Sequence, residues 1–552
     1  MPIFSASDLV ELFLAVLLLA MAIITRPFIE PYARGLAPRT GWCILLLGLL
    51  PIVLRLALLA HHPAPSPEVY DEFGHLLVAD TLRHFRLANP AHPLHEFFET
   101  FFVLQTPAYA SIYPLGHGIE LAIGRAIFGL PWAGVLLSSA AFCALCYWML
   151  RGWVAPGWAL LGGGFAVMEF GPLSPWMNSY WGGSLAAAAG CLVFGALPRL
   201  RRSPRARDGA LLGLGLGMHW LTRPYETIFL LAAMLLYFGR SNVRPLAKPA
   251  LAAALALIPF VGLSIAQNRQ VTGSWTTLPY SLSRTQYGVP ASFTWQANPV
   301  PSHELTREQQ LQYKMQTSFR SSGPETIASY LQRLEYRVRF YRFFFLPALY
   351  VALPFFFRSW REWRFVWLVL TLALFAMGVN FYPFFEPHFI AAETCLFLLV
   401  SIIGLQQLSA LNADAARLII FVCIAHFVFW YGRSFLDHPG PDRRTAVNRQ
   451  LAQAPGRQLV FVRYWPQHIF QNEWVYNAAD IDHARVIWAR DLGAADQTLL
   501  NYYPDRTAWL LEPDATPPKL SPYRAEEEPK PQPAPPPPAP HNPPPLRFEQ
   551  VH

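Results

Sequence analysis

The sequence predicts an α-helical protein that crosses a membrane many times and carries a small α/β domain outside the membrane. Of its 552 residues, 53% are hydrophobic and only 14% are charged, whereas an ordinary soluble domain carries about 25% charged residues. The apolar residues form about twelve long runs, as in a polytopic membrane protein. After residue 432 these runs give way to short, strand-like segments.

The first candidate span lies at residues 8–25 and, with the polar loop up to residue 40, forms an N-terminal extension. It lacks the basic start and the cleavage site of a signal peptide, so we interpret it as a span. The other apolar runs belong to one transmembrane domain, residues 41–432, and several are shorter than the ~20 residues that a crossing helix needs. These runs cover residues 41–60, 131–150, 156–170, 181–198, 209–221, 225–239, 249–266, 343–357, 365–380, 388–405 and 417–432.

Basic residues between the spans indicate which helix ends face the cytoplasm. The loop 199–207 reads RLRRSPRAR, and further arginine and lysine residues fill the loops at 240–248 and 358–364. Placing these loops in the cytoplasm is consistent with every predicted span. It leaves two large loops, 61–130 and 267–342, and the C-terminal region on the outer side.

The C-terminal part is predicted to be a small α/β domain over residues 433–512. The segments QLVFVRY (458–464), ARVIWAR (484–490) and RTAWLLE (506–512) are typical of short buried strands. From residue 513 to residue 552 the chain is rich in proline and has no apolar pattern. We therefore predict a disordered tail there.

Two features of the composition exclude function classes. The net charge of +8 does not indicate nucleic-acid binding, because the basic residues lie in loops between spans rather than on a soluble fold. All six cysteines lie within apolar segments. Cys143 and Cys146 form a Cys-x-x-Cys motif, but its apolar surroundings indicate helix packing rather than redox or zinc chemistry.

The most informative polar stretch follows the second span and reads YDEFGH, residues 70–75. A proline at position 67 precedes it, and a helix is predicted over residues 71–88. The apolar residues of that helix would lie against a surface. Charge is scarce in this chain, so two adjacent acids at the start of a helix require an explanation.

Asp71 has two interpretations. Its carboxylate caps the helix, with Glu72 merely suiting the helix dipole, or it acts as a general base whose pKa is raised by burial. Asp71 and His75 also have the i, i+4 spacing of a metal pair. A histidine at the membrane interface, without a metal, is the simpler interpretation of His75.

Two other polar groups lie on the predicted outer side, one in the loop 61–130 before an apolar helix that re-enters the membrane face, and one at the turn of an apolar hairpin. Tyr113 and His117 belong either to a site or to the interfacial aromatic belt. Arg223 and Glu226 interrupt an apolar hairpin, where ionisable groups usually face a cavity. Arg223 is suited to binding a phosphate through two N–H groups; alternatively, it pairs with Glu226 and only closes the turn.

Later in the chain, Tyr382, Glu386 and His388 lie at the outer end of a span. Arg339 and Arg342 lead into the predicted span that begins at residue 343. These residues could line the same outer cavity. For the arginines, the alternative is that their side chains only reach towards the membrane surface.

The acidic pair after an early span resembles the GT-C superfamily of membrane glycosyltransferases, which use polyprenyl-phosphate sugars. Tyr70–His75 resembles the start of the first outer loop in the protein O-mannosyltransferase and lipid A aminoarabinose transferase families (glycosyltransferase family 39-like). Ser111–Gly116 is similar to their second loop motif, although Ile112 or Tyr113 stands where those families have a lysine. The resemblance covers residues 41–405.

The resemblance implies an inverting glycosyl transfer at the outer face of a bacterial inner membrane, with the C-terminal domain in the periplasm. Asp71 would deprotonate the acceptor hydroxyl, and Glu72 would orient the acceptor or the catalytic helix. Arg223, with Arg339 or Arg342, would bind the donor phosphate. The remaining candidates are expected to contact the substrates: His75, Tyr113, His117, Glu226, Tyr382 and His388.

The expected partners are a polyprenyl-phosphate sugar donor, a lipid, glycan or protein acceptor, and the lipid bilayer. No cofactor is expected, although a variant of the same chemistry that depends on a divalent metal stays open. The alternative function is a membrane transporter or lipid flippase, which would need polar residues near the middle of the bilayer and often has paired repeats. Here the ionisable residues gather towards the outer face, and no repeat is visible.

Overall fold

The structure is a computed structural model that describes residues 6–239, 244–291, 293–318, 325–437 and 443–524. The chain divides into two compact units. The first contains the described residues of Met1–Ala91, Thr100–Gly440 and Phe470–Glu473, and the second contains those of His92–Glu99, Pro441–Ile469 and Trp474–His552.

The first unit is built almost entirely of helices. A two-stranded antiparallel ribbon, β1 (Val103–Leu104) with β2 (Ala110–Ser111), lies in its first large loop. The α-helices are α1 (Ala6–Leu36), α2 (Thr40–Ala57), α3 (Tyr70–Arg83), α4 (Leu115–Phe128), α5 (Trp132–Leu150), α6 (Pro156–Phe170), α7 (Ser184–Arg202), α8 (Ala206–Trp220), α9 (Pro224–Phe238), α10 (Ala247–Thr272), α11 (Pro279–Tyr287), α12 (Arg307–Ser318), α13 (Ile327–Val338), α14 (Trp363–Val379), α15 (Thr394–Leu411) and α16 (Ala413–Arg433).

Five stretches of helix within the described residues are long and apolar enough to cross a bilayer. Shorter apolar helices occur at Leu9–Thr25 within α1, in α9 and in α14. The five long stretches are Thr40–Ala57, Trp132–Leu150, Arg244–Thr272, Pro387–Leu411 and Ala413–Arg433. The predicted class, an α-helical polytopic membrane protein, is confirmed.

One predicted span is not an α-helix. Residues 343–357 fall in the 3-10 turns Arg339–Phe344, Pro347–Val351 and Leu353–Ser359. The second and third turns have a proline at their first or second position, and a proline cannot donate the hydrogen bond that would continue an α-helix from the preceding residues. The N-terminal loop was also predicted wrongly, since α1 continues to Leu36.

The helices of the first unit approach one another through small residues. A Cβ atom added to Gly213 on α8 would lie 2.1 Å from the carbonyl oxygen of Ala253 on α10. One added to Gly134 on α5 would lie 2.0 Å from the carbonyl oxygen of Glu120 on α4. Such backbone contacts are typical of helix packing in membranes. The second pair fixes α4, the helix that carries His117 and Glu120, against α5.

The second unit contains a four-stranded sheet in the order β4-β3-β5-β6. The three predicted strands are present, and β3 pairs in parallel with both β4 and β5. The fourth strand lies beyond residue 512, where a disordered tail was predicted, so the sheet extends further than expected; residues 525–552 of that tail lie outside the described residues. The elements are α17 (Arg443–Gln453), β3 (Arg457–Val462), β4 (Val486–Arg490), α18 (Asp496–Tyr502), β5 (Arg506–Glu512) and β6 (Lys519–Pro522), with 3-10 turns at His95–Phe98 and Gly493–Ala495.

Candidate active site

The start of α3 is held by Glu72. Its carboxylate accepts hydrogen bonds from the backbone N–H groups of Glu68 at 2.7 Å, Val69 at 3.2 Å and Tyr180 at 2.8 Å. The residue at the helix boundary is Val69, not Asp71. Glu72 therefore satisfies N–H groups that precede the first turn of α3, and the interpretation of Asp71 as the helix cap is wrong.

The two acids consequently point in different directions. Adjacent residues on a helix are about 100° apart, and the Glu72 side chain is only 5% exposed. Burial raises the pKa of Glu72, while its three backbone donors oppose that rise. Glu72 thus fixes the position of α3 relative to the segment around Tyr180.

Asp71 has side-chain partners instead. The hydroxyl of Tyr113 donates to one carboxylate oxygen, and Nε1 of Trp181 donates to the other at 3.1 Å. A carboxylate offers about four acceptor positions, so each oxygen of Asp71 can still accept one more hydrogen bond. Burial raises the pKa of Asp71, opposed by its two donors and by the charge of Arg223. A base with a raised pKa takes up a proton more readily.

The ring of His75 packs between Tyr113, which donates to this carboxylate, and His117. The ring centroid of His75 lies 4.3 Å from that of Tyr113 and 4.7 Å from that of His117. Tyr113 fits there because position 74 is a glycine; a Cβ atom would lie 2.7 Å from the Tyr113 ring. Burial, and then the charges of His117 and Arg223, hold the pKa of His75 well below its usual value. His75 is therefore a neutral ring.

Both nitrogens of His117 are engaged. Nε2 donates to the carbonyl oxygen of Tyr180 at 2.6 Å, and Nδ1 contacts the carboxylate of Glu120. His117 thus fixes the same backbone segment that Glu72 holds from the other side. Its contacts serve to position that segment.

The segment Asn178–Gly183 was missed by the sequence analysis. It reads NSYWGG, and a predicted span was started at residue 181, whereas α7 begins at Ser184. Gly182 and Gly183 have φ angles of 88° and 119°, which favour glycine. The two consecutive glycines between apolar helices were the signal that could have revealed a tight turn.

Arg223 lies just before α9 and carries the positive charge of the site. Its guanidinium carbon is 4.6 Å from the centroid of the Phe389 ring. The closest approach to the Glu226 carboxylate is 3.9 Å, which is an ion pair but too long for a hydrogen bond. The Arg223 side chain is 23% exposed. Pairing with Glu226 therefore leaves N–H donors of Arg223 available.

The segment after α14 closes another side of the site. The His388 ring lies 5.6 Å from the Trp181 ring, and Tyr382 packs 5.2 Å from the ring of Tyr225 and interacts with Glu226. Glu386 is half-buried. Burial, followed by the charge of Asp71, raises the pKa of Glu386 to about 7, although Arg223 opposes the rise.

Tyr280 on α11 also reaches this region, with its ring 6.0 Å from that of Tyr113. The sequence analysis missed it, because one tyrosine in a long polar loop carries no pattern. Trp181 was missed for the opposite reason, because it was counted as part of an apolar run.

Arg339 and Arg342 are not brought to this cluster. Both side chains are exposed, and within the described residues no hydrogen bond or ion pair joins either of them to Asp71 or Arg223. The nearby Arg337 is buried and donates to the carbonyl oxygens of Val379 at 2.9 Å and Tyr382 at 2.5 Å. Arg337, the buried arginine of this stretch, is therefore bound to backbone carbonyl oxygens.

The acids and histidines of the cluster do not form a recognisable metal centre. Within the described ranges, no group of three or more His, Cys, Asp or Glu side chains is arranged to hold an ion. The chemistry that the arrangement offers is a carboxylate base, a guanidinium with free donors and several tyrosine hydroxyl groups.

Neither a protein-family model nor a curated protein sequence matches the chain. Solved structures do. ArnT from Cupriavidus metallidurans bound to undecaprenyl phosphate is 12% identical, with a TM-score of 0.50, over 86% of this chain and 93% of that chain. The apo structure of the same protein has a TM-score of 0.49 over the same shares of the two chains, again at 12% identity. The Archaeoglobus fulgidus oligosaccharyltransferase with zinc and sulfate gives 0.49 at 9% identity, over 85% of this chain and 67% of that chain.

At this level of identity the comparison with undecaprenyl-phosphate-bound ArnT concerns the fold. It extends over most of both chains, and it agrees with the superfamily that the acidic pair and the order of the spans predicted. The chain therefore has the fold of the GT-C membrane glycosyltransferases.

Proposed function

We propose that this protein transfers a sugar from a polyprenyl-phosphate donor to an acceptor hydroxyl at the outer face of a bacterial inner membrane. The observation that carries the proposal is the environment of Asp71. Its carboxylate lies at the start of α3 and accepts hydrogen bonds from Tyr113 and Trp181. The positive charge of Arg223 is close enough to stabilise the ionised carboxylate. Further support comes from the shared fold with an ArnT structure that holds undecaprenyl phosphate.

In the proposed reaction, Asp71 accepts the proton of the acceptor hydroxyl as the acceptor oxygen attacks the anomeric carbon of the sugar. The bond between that carbon and the phosphate oxygen breaks, and the electron pair leaves with the phosphate. Attack from the face opposite the phosphate inverts the configuration. The products are the glycosylated acceptor and the polyprenyl phosphate, and the proton is released later from Asp71.

Arg223 is the proposed partner of the departing phosphate. Its guanidinium is only loosely paired with Glu226, so N–H donors remain for two phosphate oxygens. As negative charge develops on the leaving phosphate, a fixed positive charge stabilises the transition state more than the ground state. The proposed reaction uses no cofactor, because the donor already carries an activated phosphate ester.

The other members of the cluster would shape the substrate site. His75 is neutral, so it can act as a hydrogen-bond partner without repelling the cationic Arg223. Tyr382 and His388 lie on the side of Arg223 and Trp181, where the donor would enter. Tyr113 binds Asp71 directly, so we propose that it orients the base.

The test is to delete the gene in its native host and to analyse lipid extracts and envelope glycans by mass spectrometry. We expect a polyprenyl-phosphate sugar to accumulate and the same sugar to disappear from a lipid, glycan or protein. The wild-type gene should reverse both changes, and a gene encoding Asp71→Asn should reverse neither at equal protein level. Unchanged lipid-phosphate sugars and unchanged glycans in the deletion strain would reject the proposal.

A further inference from the structure

A cavity lies at the other end of the helices that carry the candidate active site. Its volume is about 300 Å³. α7 begins directly after the turn that contacts Asp71 and ends at Arg202, which lines this cavity. α9 begins after Arg223 and ends near Tyr237, which also lines it. At 1.5 Å per residue, α7 spans about 28 Å, close to the thickness of a bilayer core.

The cavity carries a surplus of positive charge. Arg201, Arg202 and Arg364 line it together with a single carboxylate, that of Glu362. Arg202 donates to the carbonyl oxygen of Gly152 at 2.9 Å, and Arg364 donates to Glu362 at 2.7 Å and to the carbonyl oxygen of Trp153 at 3.4 Å. Arg201 interacts with Tyr237, whose ring centroid lies 5.5 Å from its guanidinium carbon. Each arginine has five N–H donors, so these contacts leave many of them available to an anion.

The walls of the cavity are aromatic and well fixed. Trp153 stacks on Trp367 with 5.5 Å between ring centroids, and its Nε1 donates to the carbonyl oxygen of Phe194 at 3.0 Å. Trp363 and Tyr237 complete the wall. Tryptophan and tyrosine are enriched where a protein meets the lipid headgroups.

The first turn of α14 adds a further positive contribution. Trp363 and Arg364 are its first two residues, and both line the cavity. The N-terminal end of an α-helix carries a partial positive charge and unpaired N–H groups that favour phosphate. Three guanidinium groups, a helix start and aromatic walls thus meet at one level of the membrane.

We propose that this cavity binds the phosphate of an anionic phospholipid headgroup, in the leaflet opposite the candidate active site. Basic pockets between transmembrane helices recognise such headgroups. A cavity of this volume accommodates a phosphate with its glycerol, while the acyl chains can leave along the outer surface of the helices. The bound lipid would hold the ends of α7, α9 and α14 together, although it contacts none of the catalytic candidates.

The test uses the purified full chain, with bound phosphatidylglycerol counted by native mass spectrometry and its affinity measured by titration. Each basic residue near the bilayer surface contributes about fivefold in affinity. Arg201→Gln with Arg364→Gln should therefore weaken binding about 25-fold. Arg205→Gln is the control, because Arg205 is an exposed basic residue between α7 and α8, four positions after Arg201, that does not line the cavity.

A second variant separates lost binding from damaged folding. Glu362→Gln removes the one competing carboxylate and frees Arg364, so it should tighten phosphatidylglycerol binding about two- to fivefold; a misfolded protein cannot do this. The proposal is rejected if the double variant binds as the wild type does, or if Glu362→Gln weakens binding. It is also rejected if inorganic phosphate or glycerol phosphate raises the melting temperature as much as phosphatidylglycerol does, since the site would then hold a free anion.

Discussion

Replacement of Asp71 by asparagine should slow transfer strongly and leave the fold intact. Asparagine keeps the shape of the side chain, and its amide can reproduce both contacts. Its oxygen accepts from Nε1 of Trp181, and its NH₂ group donates to the Tyr113 oxygen, which can reverse its role. What is removed is the group that accepts the proton.

The expected size of each effect follows from these contacts. Exchanging two charge-assisted hydrogen bonds for neutral ones costs about 1 kcal/mol each. Removing a carboxylate whose pKa is raised by burial offsets much of that cost. The free energy of unfolding should therefore change by less than ~1 kcal/mol. Loss of a general base should slow transfer at least ~10²-fold, which corresponds to ~2.7 kcal/mol in the activation barrier.

Glu72→Gln is the matched comparison, because it makes the same chemical change one residue away. The two oxygens of Glu72 accept three backbone N–H groups, and glutamine has one oxygen. Its NH₂ group must therefore face at least one N–H donor, at a cost of ~1–3 kcal/mol in stability. We expect Glu72→Gln to melt at a lower temperature and yet to transfer faster than Asp71→Asn.

The assay is single-turnover transfer with purified protein, using the donor lipid that accumulates in the deletion strain. Thermal unfolding is measured on the same samples. Asp71→Asn protein with normal stability and near-wild-type transfer would refute the assignment of Asp71 as the base. Equal losses of activity in both variants, in proportion to lost stability, would mean that the acidic pair only supports the fold.

Three further outcomes are expected. Arg223→Lys keeps the charge but loses the two-pronged donor geometry, so transfer should fall by at least tenfold with an unchanged melting temperature. Arg339→Lys, the control, should behave as the wild type. If both variants transfer equally fast, Arg223 has no part in the mechanism. A single cysteine at Gln310 should react with a membrane-impermeant reagent in intact cells, and one at Ser203 only after permeabilisation; the reverse pattern would invert the topology. The pKa of Glu386 rises to about 7 on folding, so ionisation of Glu386 destabilises the folded state above pH 4.5. Glu386→Gln should therefore be more stable than the wild type at pH 8, by at most ~3 kcal/mol, and this difference should fade towards pH 4.5. A difference in stability that grows on acidification would contradict the prediction.

The helical architecture could be predicted from the sequence, because long apolar runs with basic loops have few other interpretations in physical terms. The exception at residues 343–357 shows the limit of this reasoning. That stretch is as apolar as its neighbours, but Pro347 and Pro354 each lie at the start of a 3-10 turn, where they cannot donate the hydrogen bond that would continue an α-helix. Apolar composition indicates that a segment is buried, and it does not report whether the helix is continuous.

Much of the candidate site could also be predicted, because ionisable residues are rare in this chain. His75, Tyr113 and Arg223 all lie within the cluster around Asp71. Trp181 could not be distinguished from the aromatic residues that stand at many helix ends. The error over Arg339 and Arg342 has a similar origin, since charge alone does not reveal which face of a short helical turn is exposed.

The roles within the acidic pair depend on a contact that no local pattern contains. Sequence rules allow either Asp71 or Glu72 to cap α3. The backbone N–H of Tyr180, more than a hundred residues away along the chain, decides between them, because it binds Glu72 and turns that side chain towards the interior. Asp71 is then directed to Tyr113 and Trp181. The acid that is buried with backbone donors holds the helix, and this leaves the other carboxylate for a proton from outside the protein.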